Sequence, residues 1–188
     1  MKKPLTLAAI AALAGLTAPG CLSTAIKEGA GVALGAKGTY LIIQPLSPDK
    51  EARPLGEYTR FELGPITDGI GGRTPSDFLS YLPKAFEDEM KDTGLPDDPS
   101  GKTLVIRGTI THYETSGMLG LAMGPMEEVI VRTELVDKAS GQVLGVANCI
   151  GRTTERVNMG VNKKAQGLAK AFVKWLENRY PKDMLKRR

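Results

Sequence analysis

The chain has 188 residues, and its 25 lysines and arginines against 21 aspartates and glutamates give a formal net charge of +4. The basic residues are dense only in the tail over residues 182–188, so the chain lacks the broad basic face that nucleic-acid binding requires. One histidine and two cysteines are too few for the usual ligand sets of zinc. We therefore expect no nucleic-acid partner, no metal and no cofactor.

The first 20 residues have the layout of a secretory signal peptide. Two lysines precede an apolar segment over residues 5–18, which is shorter than the roughly 20 residues of a membrane-spanning helix. Small residues then lead to Cys21, in an order that resembles the lipobox of bacterial lipoproteins. We predict a signal peptide over residues 1–20 and lipidation at Cys21. The alternative is a plain secretory signal, cut near Ala18 or Gly20, that leaves the protein in the periplasm without lipid.

Residues 21–38 are predicted to be a lipid-anchored flexible tether, because four glycines are mixed with Ala, Ser and Lys without apolar periodicity. Acylation of Cys21 would leave Cys149 as a free thiol. The apolar neighbours of Cys149 favour a buried side chain rather than a reactive one.

A single α+β domain is expected over residues 39–181, followed by a basic tail over residues 182–188. Residues 40–46 and 58–63 predict the first two strands, and residues 64–72 are rich in turn-forming types.

A helix is predicted next. Thr74 is expected to cap it, Pro75 to occupy its first position and Pro83 to kink it. Its apolar stripe has helical spacing and consists of Leu79, Leu82, Phe86 and Met90.

Three more strands are predicted over residues 103–114, 128–137 and 142–150, with a tight turn at residues 137–141. The last helix is predicted over residues 161–180. Its buried stripe would be Ala165, Leu168, Ala169, Phe172, Leu176 and Tyr180, and its water-facing side would be Lys163, Lys164, Lys170, Lys174 and Glu177. The order predicts an α+β fold: an antiparallel sheet of about four to five strands with two amphipathic helices packed on one face.

The chain after residue 103 carries a further pattern. A strand ends in Tyr113-Glu114 before a loop with repeated glycines, Asp137 is followed by Ser140-Gly141, and an amphipathic helix closes the domain. This pattern resembles the DUF4410-type lipoproteins of bacteria, whose biochemical function is unknown. It is more remotely similar to small envelope domains that act through protein contacts. The resemblance implies an interaction or assembly-accessory domain with an unidentified envelope protein partner. Leu22 after Cys21 implies the periplasmic face of the outer membrane, since lipoproteins with Asp there favour the inner membrane.

No catalytic residues are predicted. His112 continues the apolar face of its strand, and no G-x-S-x-G motif supplies a nucleophile to pair with it. Glu127 and Glu128 would point to opposite faces of a strand as solvated charges. The segment 71–73, Gly-Gly-Arg, is interpreted as a turn, with anion binding as a minor alternative.

The segment over residues 116–126 is the candidate partner-binding loop. Its apolar side chains are separated by glycines and are Met118, Leu119, Leu121, Met123 and Met126. Such a loop either folds back over the sheet or offers flexible side chains to a partner.

The functional hypothesis is a membrane-anchored, non-enzymatic envelope lipoprotein. The alternative is a small-ligand or glycan-binding periplasmic module that uses the sheet face not covered by helices. That alternative predicts a deep pocket containing Arg107, His112 or Arg132.

Overall fold

Five strands form one sheet in a computed structural model that describes residues 36–114, 127–153 and 160–185. The strands are β1 (Lys37–Gln44), β2 (Tyr58–Asp68), β3 (Lys102–Tyr113), β4 (Glu127–Asp137) and β5 (Val143–Thr153). The helices are α1 (Ser76–Lys91) and α2 (Val161–Arg179), with short 3-10 turns at Pro54–Glu57 and Lys182–Met184. The α+β class and the pair of helices are confirmed.

The strand order is β1-β5-β4-β3-β2, and all neighbours are antiparallel except β2 and β3. The expectation of an antiparallel sheet is therefore wrong for that one pair. The reason is that α1 lies between β2 and β3 in the chain, and a helical crossover returns the chain to the same end of the sheet.

Both helices pack on the same face of the sheet. The buried residues of the central strands alternate, as in Leu104, Ile106 and Ile110 of β3, and they join the apolar stripes of α1 and α2 in one core. Trp175 and Phe172 of α2 are fully buried there. The buried stripe predicted for the last helix is confirmed, whereas Lys164 is 2% exposed and does not face water.

Three glycines let α2 approach β1 and β5 closely. A Cβ atom at Gly38 would lie 2.2 Å from the backbone N of Ala171, and one at Gly151 would lie 2.5 Å from the backbone N of Leu168. On the helix side, a Cβ atom at Gly167 would lie 2.9 Å from the backbone O of Lys37. Residues 37 and 38 thus belong to β1 rather than to the predicted tether, because Gly38 is required for packing and not for flexibility.

The segment around α1 differs from expectation in three details. β2 continues to Asp68 and so takes up the first five residues, 64–68, of the stretch predicted as turns. Pro75 precedes the first helical residue, and the Thr74 hydroxyl donates to Asp68 Oδ1 at 2.5 Å instead of capping the helix. Pro83 is exposed, and α1 runs through it to Lys91.

Cys149 is fully buried, as predicted, and its thiol is free. Burial raises the pKa of this thiol to about 12. Within the described ranges, neither helix has the length and apolar character that crossing a membrane demands.

Candidate functional site

The outer edge of β1 is the most apolar exposed surface among the described residues. Among the strands that the structure describes, β1 has a neighbour only on one side, β5. Leu41, Ile42 and Ile43 are 61%, 36% and 45% exposed, and they are three of the five large hydrophobic side chains that are exposed in the described ranges. The backbone N–H and C=O groups of β1 that point away from β5 therefore have no strand partner within the described ranges, and they run beside apolar side chains.

These side chains lie on the edge for a local reason. Tyr40 turns toward the helices and stacks on Trp175 with 6.1 Å between ring centroids, so Leu41 beside it points to the uncovered face. Ile43 is the extra residue of a bulge in the ladder between Ile42 and Gln44. Natural edges are usually protected by charges, prolines or bulges. Here the bulge comes at the end of the strand, and residues 38–42 carry neither charge nor proline.

The opposite edge, on β2, is closed at two positions. The backbone N–H of Asp98 donates to the C=O of Thr59 at 2.8 Å, and Pro65 has no N–H to offer. Between these two positions, residues 60–63 open onto a cleft.

This cleft, called the β2 cleft below, has a volume of about 720 Å³ and lies between residues 60–63, the second half of α1 and the loop over residues 93–97. Its apolar lining consists of Phe61, Leu63, Phe86, Met90 and Leu95. Its charged lining consists of Arg60, Glu62, Glu87, Lys91 and Asp97. Volumes of 300–1,000 Å³ are usual for small-ligand sites.

The uncovered face of the sheet carries cross-strand ion pairs. Arg107 Nε lies 2.9 Å from Glu134 Oε2, and Arg152 pairs with Glu128. Arg132 and His112 are exposed on this face, and the β2 cleft is lined by none of Arg107, His112 and Arg132. The β2 cleft is therefore not the pocket that the ligand-binding alternative predicts.

His112 departs from the predicted face. The ladder between β3 and β4 shifts between Ile110 and His112, so His112 pairs with Ile130 instead of continuing the buried face. The cause is this one-residue irregularity, since a slip of one residue moves a side chain to the other side of the sheet.

A buried ion pair joins α2 to the sheet. Lys164 Nζ lies 3.0 Å from Glu127 Oε2 and 4.2 Å from the ring centroid of Tyr113, and it donates to the C=O of Glu114. Glu127 is thus a buried partner and not a solvated charge, while Glu128 points to the other face as predicted. Burial and the nearby Glu127 carboxylate raise the pKa of Tyr113 to about 12. The arrangement is a structural tie between the start of α2 and the ends of β3 and β4.

The Asp137, Ser140 and Gly141 motif is a turn. Asp137 Oδ1 accepts from the backbone N–H and the hydroxyl of Ser140 at 2.8 and 2.9 Å, and Oδ2 accepts from the Tyr58 hydroxyl at 2.9 Å and lies 3.0 Å from Lys102 Nζ. Gly141 has φ +72°, the left-handed region that favours glycine. Hydrogen bonds to the Asp137 carboxylate hold its pKa well below its usual range. The largest effect comes from the Ser140 N–H, followed by Lys102 and Tyr58.

The Gly-Gly-Arg turn holds a carboxylate of its own chain. Asp68 accepts from the N–H of Gly72 and from the Thr74 hydroxyl. These hydrogen bonds lower the pKa of Asp68, and the bond from the Thr74 hydroxyl has the largest effect. Two of the donors that an external anion would use are thus occupied, since the Gly72 N–H binds Asp68 and Arg73 Nε donates to the C=O of Ile70 at 2.8 Å.

Several predicted site residues lie outside the described ranges. They are the lipidation residue Cys21 and the loop residues Met118, Leu119, Leu121, Met123 and Met126. Their roles stay predictions. The β1 edge and the β2 cleft were missed by sequence reasoning; the run Leu41-Ile42-Ile43 was the available signal for the first.

No family model and no curated protein matches the chain. Among solved structures, two crystal forms of the PelC dodecamer from Paraburkholderia phytofirmans match with TM-scores of 0.41 and 0.43, at 16% and 14% identity. They cover 80% and 81% of this chain, and 99% of the PelC chain in each case. A PDZ domain protein from Parabacteroides distasonis matches with a TM-score of 0.36 at 11% identity, over 85% of this chain and 40% of that one. All three likenesses are distant.

Proposed function

We propose that this protein is a lipoprotein of the bacterial envelope. Its domain would have a non-enzymatic role and would bind a partner protein near the membrane. The observation that carries the proposal is the edge of β1, which pairs with no second strand in the described part of the chain and exposes Leu41, Ile42 and Ile43. Such an edge is a template for an added strand from another chain.

The energetics favour a covered edge. An added strand would pair the free N–H and C=O groups of β1 and remove apolar side chains from water. Full burial of one Leu or Ile side chain contributes about 1.5–3 kcal/mol. Covering three side chains that are only partly exposed therefore contributes a few kcal/mol, which is part of the roughly 8 kcal/mol that micromolar affinity requires.

The lipobox-like signal supports the anchoring half of the proposal. Cys21 precedes Lys37, the start of β1, by 16 residues. Fully extended chain spans at most about 3.3–3.6 Å per residue, which sets an upper limit of about 55 Å between an acylated Cys21 and β1. The partner would therefore be held close to the membrane, at the periplasmic face of the outer membrane if Leu22 acts as in related lipoproteins.

Site-specific photo-crosslinking in intact cells tests the proposal. A photo-crosslinking amino acid placed at Leu41 or Ile43 is expected to capture a discrete protein partner, whereas one at Thr111, exposed on the uncovered face, is expected to capture none. The double variant Leu41→Lys, Ile43→Lys is expected to remove a partner captured from a neighbouring position, Thr39. Equal capture from Thr111 and Leu41, or capture that survives the double variant, would contradict the proposal.

The matched control for the double variant is Tyr81→Lys. Tyr81 is 44% exposed on α1, away from the β1 edge, so its replacement removes a comparable apolar surface elsewhere. This variant is expected to leave the capture unchanged.

A further inference from the structure

The β2 cleft is separate from the β1 edge, and the proposed function makes no use of it. We propose that it binds an extended peptide segment of another protein, added as a strand to β2, with apolar side chains toward the helices and at least one lysine or arginine. The wall, the floor and the rim of the cleft each favour such a segment.

The wall is a sheet edge. Four consecutive residues, 60–63, line the cleft, although successive side chains of a strand point to opposite faces. The cleft thus opens along the backbone of β2 and not on one face of it. The edge is bounded by Thr59, whose C=O is already occupied by Asp98, and by Pro65.

A free stretch of sheet edge selects the chemistry of its ligand. Its N–H and C=O groups point sideways from the strand, and a peptide backbone presents complementary groups at the same spacing. A stretch of four residues is about 13 Å long at about 3.3 Å per residue. A partner segment of about four or five residues matches that length.

The floor is apolar and comes from three elements. Phe61 and Leu63 belong to β2, Phe86 and Met90 to α1, and Leu95 to the following loop. An added strand would direct every second side chain onto this floor. Met90 is half-buried and flexible, so it adapts to side chains of different shape.

Two carboxylates on the rim of the cleft have no cationic partner in the described ranges, although Lys138 also reaches Glu62 and Lys84 also reaches Asp88. Arg60 is paired with Glu62 at 2.9 Å and Lys91 with Asp88 at 3.4 Å. Glu87 and Asp97 are exposed and have no ion-pair partner among the described residues. A cationic side chain in the ligand complements them.

Selection from a phage-displayed library of random heptapeptides, on the purified full chain, provides the probe. We expect enriched peptides with alternating aliphatic residues and a lysine or arginine. Hydrogen exchange followed by mass spectrometry then locates the bound peptide. The alternate amides within residues 60–63 that point away from β3 are expected to exchange more slowly in the complex, because strand addition gives them hydrogen-bond partners.

Two changes separate strand addition from other binding. A synthetic copy of the peptide with alternate amides N-methylated on its β2-facing side is expected to bind about tenfold more weakly or worse, since it loses backbone hydrogen bonds. The double variant Glu87→Lys, Asp97→Lys is expected to weaken binding about fivefold by reversing the rim charge. Asp49→Lys with Glu51→Lys makes the same charge change on an exposed loop outside the cleft and is expected to change little.

Three results would overturn the inference: no enriched peptide, equal binding of the N-methylated copy, or protection that maps away from residues 60–63. Protection at residues 41–43 instead would support the β1 edge while removing the β2 cleft as a peptide site. If a peptide binds at the β2 cleft but Leu41 captures no partner, the β2 cleft is supported as a peptide site and the proposed function of the β1 edge is contradicted.

Discussion

The ammonium group of Lys164 lies 3.0 Å from the Glu127 carboxylate, and both residues are at most 5% exposed. Buried charges are costly to remove from water, and this cost is offset only while both partners are present. The pair is also the point where α2 meets the ends of two strands, so its loss affects three elements.

The variant Lys164→Met is expected to lower the free energy of unfolding by about 3–5 kcal/mol, because it leaves Glu127 buried and unpaired. Adding Glu127→Leu is expected to recover most of that loss. Urea denaturation monitored by circular dichroism gives both values. The control Lys174→Met, on the exposed side of α2, should change stability by no more than about 0.5 kcal/mol. A loss below about 1 kcal/mol in Lys164→Met would show that the pair does not hold α2.

Stability is expected to fall in acid through Asp137. Its folded-state pKa is depressed, so the unfolded chain binds more protons than the native protein below the ordinary aspartate pKa of about 3.9. The contribution of Asp137 is therefore present above that pH and is lost as the pH falls toward the folded-state pKa. Urea midpoints measured from pH 6 down to pH 2 check this.

Asp137→Asn is expected to flatten that acid-side decline, and Tyr58→Phe or Ser140→Ala to flatten it in part. Each of the latter two removes one hydrogen bond to the Asp137 carboxylate. A decline of unchanged steepness in Asp137→Asn would assign the acid sensitivity to other carboxylates.

Gly38→Ala is expected to destabilise the domain by about 1–3 kcal/mol, the range of overpacked cores. The added Cβ would lie 2.2 Å from the backbone N of Ala171, so α2 must move away from β1. Thermal unfolding compares this variant with Thr39→Ala, the next residue, whose side chain points to the other face. Equal stability of Gly38→Ala and the parent would mean that α2 does not approach β1 as closely as described.

Thiol chemistry checks the two cysteines together. At pH 8 a maleimide is expected to leave Cys149 unmodified in the native protein and to modify it in denaturant, because the thiolate is the reactive form and burial disfavours it. Intact mass of the membrane-derived protein is expected to show a chain beginning at Cys21 with added acyl chains. A disulfide between Cys21 and Cys149, or a mass without lipid, would contradict the anchoring proposal.

The fold was predictable where one face of an element is buried. The alternation of β3 and the helical spacing of α2 identify their buried faces correctly, since the period of a pattern depends on local geometry. The direction of β2 was not predictable in the same way. Its pairing with β3 depends on where α1 returns the chain, which the residues of β2 do not encode.

The candidate sites depend on arrangement more than on local pattern. The run Leu41-Ile42-Ile43 reads as an ordinary buried strand, and only the order of strands places it at an edge. The β2 cleft arises between a strand and a helix that are separate in sequence. The sequence predicts an exposed Lys164 because lysine side chains usually are exposed. Its burial depends on the ion pair with Glu127, a tertiary contact that the local pattern of the helix does not encode.

The position of β1 also determines how the domain would carry mechanical load. β1 is the first strand of the described domain and lies at the margin of the sheet. A pull from a membrane anchor would enter at Lys37, and the first resistance would come from the ladder to β5 and from the contact of Gly38 with α2, not from the central core. Tension on the anchor would therefore act first on the same strand that we propose binds the partner. The strength of that binding would then depend on the distance between the membrane and the partner.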